Sequence, residues 1–148
     1  MSAADLDTAA VDAFLRAHLP GYAGPLSAEK FQAGQSNPTY LLTTPARRYV
    51  LRRKPPGTLL KSAHAVEREF RVQQALAGTA VPVAPVHVLC EDPAVIGSAF
   101  YVMDHIAGRS FDDPRLPGLS AQDRAALADD MARVLAAIHS VDLAAARL

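Results

Sequence analysis

The sequence feature that most restricts the fold is a series of short segments rich in Leu, Val, Thr, Tyr and Phe, each bounded by turn residues. Three of them follow one another: Ala28 to Ala33, Thr39 to Thr44 and Arg48 to Lys54. Segments of this length and composition predict β-strands, and short polar connections between them predict antiparallel hairpins. We therefore expect a meander that ends at Pro55-Pro56-Gly57, because proline donates no hydrogen bond to a sheet.

Helical patterns precede, interrupt and follow the strands. Apolar residues recur at helical spacing in three segments. The first covers residues 5–19. The second lies between a predicted N-cap at Ser62 and a stop at Gly78, and the third follows a predicted N-cap at Ser120. Each of these three segments is long enough for an amphipathic helix that buries one side. We therefore predict three helices, with the second directly after the meander.

Two more strands complete the predicted sheet. Val86 to Glu91 and Ala99 to Ile106 have strand composition, and an Asp92-Pro93 turn joins them. A helix lying across five antiparallel strands would cover one face of the sheet and bury its apolar side chains. The predicted fold class is therefore α+β.

Charge and hydropathy exclude several classes of function. The 15 Lys and Arg residues balance the 15 Asp and Glu residues, so no net field attracts nucleic acid or an anionic membrane surface. Apolar runs are far shorter than the roughly 20 residues that cross a bilayer, and the acidic start of the chain does not resemble a signal peptide. We expect a cytoplasmic protein with neither nucleic-acid nor membrane partners.

Cysteine and histidine give no indication of metal or thiol chemistry. The one cysteine, Cys90, lies beside Val88 and Leu89, which favours an inert core thiol over a nucleophile. No two of the five histidines share metal-ligand spacing with a carboxylate or a cysteine. We therefore predict no metal site.

Two groups of polar residues have patterns that a binding site could use. Gly34, Ser36 and Asn37 lie in the turn between the first two strands, where backbone N–H groups and polar side chains could bind a phosphate. An ordinary hairpin turn has the same composition. Arg52 on the third strand and Glu69 on the following helix could form a bidentate ion pair. A solvated surface pair, worth under about 1 kcal/mol, is the other interpretation.

A third candidate is the segment from Phe100 to Gly108. It is an apolar strand that continues into an extended segment and ends at glycine. Backbone groups at the exit of such a strand could hydrogen-bond the edge of a flat heterocycle. A plain strand-to-loop junction is the alternative.

The three candidates occur in the order of a protein-kinase N-lobe: a glycine-bearing hairpin, a basic residue on a strand, a glutamate on a helix, and a hinge. The sequence resembles the N-terminal part of the aminoglycoside phosphotransferase family, which includes choline and ethanolamine kinases, and most closely the branch fused to some acyl-CoA dehydrogenases. The resemblance covers about Phe31 to Asp142. It rests on the segments GQSNPTYLL, RRYVLRRKPPG, AVEREFRVQQAL, AFYVMDHIAGR and LAAIHSVD.

The resemblance implies a kinase-like fold that binds ATP. It implies an N-terminal helix and connector at residues 1–24, an N-lobe at 25–107 and the start of a C-lobe at 108–148. It also gives each candidate residue a role: Gly34, Ser36 and Asn37 in the phosphate-covering loop, Arg52 at the α- and β-phosphates, Glu69 as the partner of Arg52, Met103 as gatekeeper, and the Asp104 carbonyl and Ile106 amide at adenine.

Two departures from the family concern the phosphate side. The loop carries a single glycine where protein kinases have several, so we expect it to be stiffer and to wrap the phosphates less tightly. Arg52 stands where many relatives have lysine, and it closes the Val-Leu-basic pattern of the family strand. Arg53 and Lys54 are adjacent, but strand alternation sends Arg53 to the opposite face.

The resemblance also shows what is absent. Beyond Gly108 the sequence contains neither the His-Gly-Asp catalytic loop nor the Asp-x-Asp metal site that family members carry. Without a general base and Mg²⁺ ligands, we expect the chain not to transfer phosphate alone, and to use Mg²⁺ only together with the missing C-lobe. No catalytic residue is therefore predicted.

The phosphoryl acceptor stays open at this point. A small-molecule hydroxyl is implied, on an aminoglycoside, a choline-like alcohol or a hydroxyacyl thioester, and the fused-dehydrogenase resemblance favours the last. The alternative is a non-catalytic module of the same fold. It would form a homodimer through an apolar stripe on the last helix, made of Leu127, Met131, Val134 and Ile138.

Overall fold

The computed structural model describes residues 6–32, 37–55, 57 and 64–148. In chain order its elements are α1 (Thr8–His18), β1 (Ser27–Lys30), β2 (Thr39–Thr43), β3 (Arg48–Arg53), α2 (Val66–Leu76), β4 (Val86–Cys90), α3 (Pro93–Ile96), β5 (Phe100–Asp104) and α4 (Ala121–His139). All five predicted strands and all three predicted helices are present. Three positions used in the predictions lie outside the described residues: the N-cap Ser62, the strand end Ala33 and Pro56.

The five strands form one antiparallel sheet in the order β1-β2-β3-β5-β4, which confirms the predicted α+β class. In its register, Arg52 of β3 is paired with Thr39 of β2 on one side and with Tyr101 of β5 on the other. Directly paired residues of an antiparallel sheet point to the same face. Thr39, Arg52 and Tyr101 therefore form a row across the sheet.

One face of the sheet is covered by α1 and α3 and holds the main hydrophobic core. Helix α1 begins after its N-cap Asp7, whose carboxylate accepts a hydrogen bond from the Ala10 backbone N–H. Val11 and Leu15 of this helix are fully buried. They join a core formed by Tyr40, Leu42, Tyr49, Leu51, Cys90, Phe100 and Val102. Burial raises the pKa of the Cys90 thiol, as expected for a core cysteine.

The opposite face is covered by α2, and its apolar cluster is small. Val66 and Phe70 of α2 pack against Tyr101. The Phe70 and Tyr101 rings meet edge to face, with 6.0 Å between their centroids. Charged and polar side chains occupy the remainder of the contact between α2 and β3, and they are described below.

A single-turn helix, α3, stands between β4 and β5, where the sequence predicted only a turn. The Asp92 carboxylate accepts a hydrogen bond from the Ala94 backbone N–H at 2.8 Å. Gly97 ends the helix in the left-handed region, with a φ of 84°. Proline directly after an N-cap aspartate, followed by such a glycine, is a helix-boundary signal. The prediction of a plain turn was incomplete because it did not combine these signals.

The chain divides into two compact units. The first comprises residues 1–74 and 84–105, and it contains the sheet, α1 and α3. The second comprises residues 75–83 and 106–148, and it contains α4.

Helix α4 begins with a capping box. The Ser120 hydroxyl accepts from the Asp123 backbone N–H, and the Asp123 carboxylate accepts from the Ser120 backbone N–H. Apolar side chains along this helix, including Met131, Leu135 and Ile138, are exposed. No helix in the described part of the chain combines the length and the hydropathy that crossing a membrane requires.

Candidate functional site

The row of Thr39, Arg52 and Tyr101 lies under α2, which directs the Glu69 carboxylate towards it. Arg52 Nε donates to Glu69 Oε2 at 2.7 Å. The Tyr101 hydroxyl donates to the same oxygen at 3.2 Å. Asn37 Nδ2 donates to the other oxygen, Oε1, at 2.8 Å. The ion pair predicted between Arg52 and Glu69 is thus present as one part of a larger network, but the prediction of a bidentate pair was wrong, because only Nε of Arg52 meets the carboxylate and Asn37 occupies its other oxygen.

Arg52 does not use its whole guanidinium to hold Glu69. Its Nη1 donates to the Thr39 hydroxyl at 3.4 Å, and within the described residues its Nη2 has no hydrogen-bond partner. The side chain is 31% exposed. A guanidinium carries five N–H donors on a rigid plane, so one edge can hold a carboxylate while another donates to an anion.

The Tyr101 hydroxyl is oriented by a second partner. Gln73 Nε2 donates to the Tyr101 oxygen at 2.9 Å, which leaves the phenolic proton for Glu69. Burial, followed by the negative charge of Glu69, raises the pKa of Tyr101 to about 12. The phenol is therefore neutral at physiological pH and acts as a hydrogen-bond donor.

The Asn37 amide is used at both ends. Its Nδ2 reaches Glu69, and its Oδ1 accepts a hydrogen bond from His64 Nδ1 at 3.0 Å. Only 3% of Asn37 is exposed. Gly34 and Ser36, which the sequence placed in the phosphate loop together with Asn37, lie outside the described residues.

Strand alternation separates the three consecutive cations at the end of β3. Lys54 lies on the α2 side with Arg52, and its Nζ donates to Glu67 Oε1 at 2.8 Å. Arg53 lies on the opposite face, where its Nε donates to Ser98 Oγ and its Nη2 to the Ile96 carbonyl, each at 3.0 Å. This separation is the one that the sequence pattern predicted.

The residues predicted at adenine lie at the end of β5 and just after it. Met103 is half-buried beside the apolar cluster under α2. The Asp104 carboxylate accepts from His87 Nε2 at 2.8 Å and from Arg47 Nη2 at 3.3 Å, and Ile106 is 64% exposed. Nucleotide contacts by Met103, Asp104 and Ile106 stay predictions.

The chemistry available here is anion binding by fixed hydrogen-bond donors. Among the residues that the structure describes, no three His, Cys, Asp or Glu side chains lie close enough together to hold a metal ion. The network instead offers a guanidinium whose direction is set by Glu69. Charge-assisted donors of this kind suit carboxylate or phosphate oxygens.

Sequence reasoning missed four members of the network: Thr39, His64, Gln73 and Tyr101. A partial signal existed for Tyr101, because alternation along β5 places it on the same face as Met103, away from the main core. Its position beside Arg52 depends on the register between β3 and β5, which local sequence does not specify. A partial signal also existed for Gln73, which helical spacing places on the same side of α2 as Glu69. His64 gave no signal that distinguished it from a solvated residue.

Comparison with known proteins finds relatives over nearly the whole chain. The sequence model of the phosphotransferase enzyme family matches residues 27–148. Mouse acyl-CoA dehydrogenase family member 11 is 43% identical over 146 residues, which is 96% of this chain and 19% of that protein.

Two solved structures have a similar fold. A protein from Ralstonia eutropha that has been assigned to the aminoglycoside phosphotransferases is 51% identical, with a TM-score of 0.81 over 96% of this chain and 40% of that chain. An aminoglycoside phosphotransferase solved with AMP-PNP and hygromycin B is 20% identical, with a TM-score of 0.59 over 91% of this chain and 40% of that chain. The chain therefore spans less than half the length of each of these relatives.

Proposed function

Because the chain belongs to the phosphotransferase enzyme family, we propose that it supplies the ATP-binding part of an enzyme that phosphorylates a hydroxyl group of a small molecule. The observation that carries this proposal is the guanidinium of Arg52, which Glu69 holds at 2.7 Å. Transfer of a phosphoryl group depends mainly on positioning the phosphates and neutralising their charge. Arg52 is a cation in a fixed position on a strand, and part of its guanidinium has no partner among the described residues. It can therefore position a phosphate and offset part of its charge.

The other predicted contacts follow from this position of the phosphates. Gly34 and Ser36 would donate backbone N–H groups from the β1–β2 connection, and the backbone of Asp104 and Ile106 would bind the adenine edge. Met103 would contact the adenine ring. The kinase-like fold supports this assignment, since a distant structural neighbour holds the ATP analogue AMP-PNP together with hygromycin B.

Catalysis needs groups that this sequence does not contain. The 148 residues include no His-Gly-Asp segment, so a general base and Mg²⁺ ligands have to come from outside them. We expect these residues alone to bind nucleotide without transferring phosphate. We expect the enzyme to act in the cytoplasm.

The acceptor class is proposed on the basis of the relatives, since the described site does not indicate one. Similarity to an acyl-CoA dehydrogenase family member favours a hydroxyacyl thioester. An aminoglycoside and a choline-like alcohol are the other candidates.

A calorimetric titration with AMP-PNP, with and without Mg²⁺, tests the proposal. Arg52→Met should weaken the affinity about tenfold or more, because a charge-assisted hydrogen bond contributes about 1.5–3 kcal/mol. Arg71→Met is the matched control: this arginine lies on α2 in an exposed pair, 3.8 Å from Glu91, and its replacement should leave the affinity unchanged. If the wild-type chain does not bind AMP-PNP at millimolar concentration, the proposed ATP binding is wrong. If Arg52→Met and Arg71→Met lose affinity equally, Arg52 does not contact the phosphates.

A second candidate function, a homodimerising module, is favoured by the exposed apolar side chains of α4, although of the predicted stripe only Met131 and Ile138 are exposed, while Leu127 and Val134 are half-buried. Met131 is 66% exposed, Leu135 54% and Ile138 48%, and contiguous apolar surface commonly marks an interface. The same samples discriminate the two functions by light scattering. A monodisperse dimer that binds no AMP-PNP would support the module.

A further inference from the structure

The sequence placed Asn37 among the residues that contact phosphate, and the structure turns its side chain inward. The amide is 3% exposed and makes hydrogen bonds at both ends, to Glu69 at 2.8 Å and to His64 at 3.0 Å. A side-chain amide has two N–H donors and one carbonyl acceptor. With the carbonyl and one donor used by protein and almost no surface exposed, little of Asn37 is available to a nucleotide.

The backbone around Asn37 is anchored as well. The Asn37 carbonyl accepts a hydrogen bond from the Thr39 hydroxyl at 3.0 Å, and the next carbonyl, that of Pro38, accepts from the Arg53 backbone N–H at 3.0 Å. Asn37 therefore has a fixed position at the start of β2. From this position its side chain reaches α2, which lies 32 residues away in sequence.

Glu69 is held on both oxygens. Arg52 and Tyr101 both donate to Oε2, and Asn37 donates to Oε1, so the plane of the carboxylate is set by donors at both oxygens. Without the amide, Oε1 would lose its partner, and the carboxylate could rotate about its terminal bond, where side-chain torsions are broad. The direction of the Arg52 guanidinium depends on that plane because its Nε–H points at the carboxylate.

We propose that Asn37 is a positioning residue, which fixes the Glu69 carboxylate and through it the Arg52 guanidinium, and does not itself contact the nucleotide. The consequence for function rests on the proposed binding of ATP phosphates by Arg52. The hydrogen bonds themselves can be tested without any nucleotide.

The chain contains a single asparagine, so labelling with ¹⁵N-asparagine gives one side-chain NH₂ group in an NMR spectrum. In the wild-type chain, the amide proton directed at Glu69 should exchange with solvent at least about tenfold more slowly than in a short peptide, because a hydrogen bond to a charged group protects it. Glu69→Gln should shift this signal and accelerate the exchange. An amide that exchanges as in a peptide, or is unaffected by Glu69→Gln, overturns the proposal.

The second readout is the Nε–H signal of Arg52. Asn37→Ala removes the donor without adding a charge, and it should shift the Arg52 signal and speed its exchange; Asn37→Asp keeps the shape of the side chain, removes the donor and adds a negative charge beside Glu69, and it should have a larger effect. Gln32→Ala is the control, since Gln32 is an exposed residue of the same β1–β2 connection and should leave the signal in place. An Arg52 signal that is identical in all variants contradicts a positioning role, and the wild-type amide measurement stands even if a variant does not fold.

Titration with AMP-PNP separates this inference from the proposed function. If both NMR readouts change as expected but no chain binds AMP-PNP, the positioning geometry is supported and the assignment to ATP fails. If wild type binds AMP-PNP and Asn37→Ala, which adds no charge, weakens the affinity about tenfold, both are supported. If Asn37→Ala alters neither the Arg52 signal nor the affinity, the positioning role alone is overturned.

Discussion

The two faces of the sheet differ in what they bury. On the α1 face, large apolar side chains from four strands and the helix pack without interruption, and Leu42, Leu51, Phe100 and Val102 are fully buried. On the α2 face, the apolar cluster is small, and two ion pairs connect β3 to the helix. Hydrophobic burial is the dominant source of stability, whereas partly exposed ion pairs contribute little. The α1 face therefore stabilises the sheet, and the α2 face carries the groups available for binding.

Strand β3 shows how one segment serves both faces. Tyr49 and Leu51 enter the core on the α1 face, whereas Arg52, and Lys54 directly after the strand, point to α2. Arg53 falls on the core side, where it is bonded to neutral oxygens and is 8% exposed. Adjacent arginines thus have different tasks because a strand alternates its side chains.

The largest expected effect comes from deleting a leucine on the core face. Leu42→Ala should lower the free energy of unfolding by about 2–5 kcal/mol, because it removes fully buried methyl groups and leaves a cavity. Leu41→Ala is the matched control on the other face, where the neighbouring leucine is only half-buried, and it should cost less than about 2 kcal/mol. Urea denaturation followed by circular dichroism measures both. Equal losses would show that the two faces contribute equally to stability.

An intermediate effect on stability is expected from replacing each of the two adjacent arginines, Arg52 and Arg53, with methionine. Arg53→Met should cost about 1–3 kcal/mol of unfolding free energy, because the buried Ser98 hydroxyl and the partly buried Ile96 carbonyl lose their donor. Arg52→Met should cost about 1 kcal/mol or less, since the pair with Glu69 is about one-third exposed on each side.

The affinity for AMP-PNP should fall more in Arg52→Met than in Arg53→Met, which is the reverse of the order expected for stability. Calorimetry and urea denaturation on the same samples would show whether stability and binding separate in this way. A greater loss of stability in Arg52→Met than in Arg53→Met would contradict the division of tasks between the faces.

Local sequence was sufficient for the elements that depend on periodicity. The runs around Thr39 and Arg48 predicted β2 and β3, and alternation alone placed Arg53 on the face opposite Arg52. The pair of Arg52 and Glu69 was predicted through the family resemblance, and the structure contains it. These features are either local or part of a recognisable pattern.

What the sequence did not predict depends on register and on long-range contacts. Tyr101 meets Glu69 because β5 pairs with β3 in one particular register, and a shift by one residue would turn it to the other face. The inward direction of Asn37 depends on a helix that is distant in sequence. Turn composition at that position is equally compatible with a side chain that faces a phosphate, so only the folded structure distinguishes the two.

The smallest expected effect concerns the second ion pair of the α2 face, Lys54 with Glu67. Burial is the largest single influence and raises the pKa of Glu67, but the hydrogen bond from Lys54, that from the Glu67 backbone N–H and the positive charges of Lys54 and Arg71 together outweigh it and lower the pKa below the ordinary value of 4.5. A carboxyl group whose pKa is lower in the folded state stabilises the fold above the unfolded pKa, and this contribution is lost as the pH falls through the folded value. The pair should therefore contribute about 1 kcal/mol or less at neutral pH and nothing in strong acid.

Lys54→Met tests this contribution. The difference in unfolding free energy between wild type and the variant should be largest near neutral pH and shrink as the pH is lowered below about 4.5, which urea denaturation at several pH values would measure. Arg133→Met, which removes an exposed pair with Asp130 on α4, is the control and should show almost no difference at any pH. A difference for Lys54→Met that stays constant down to pH about 3 would mean that Lys54 acts through the packing of its aliphatic chain. In that case the α2 face would stabilise the fold in the same way as the α1 face, and the contrast between them would be one of degree.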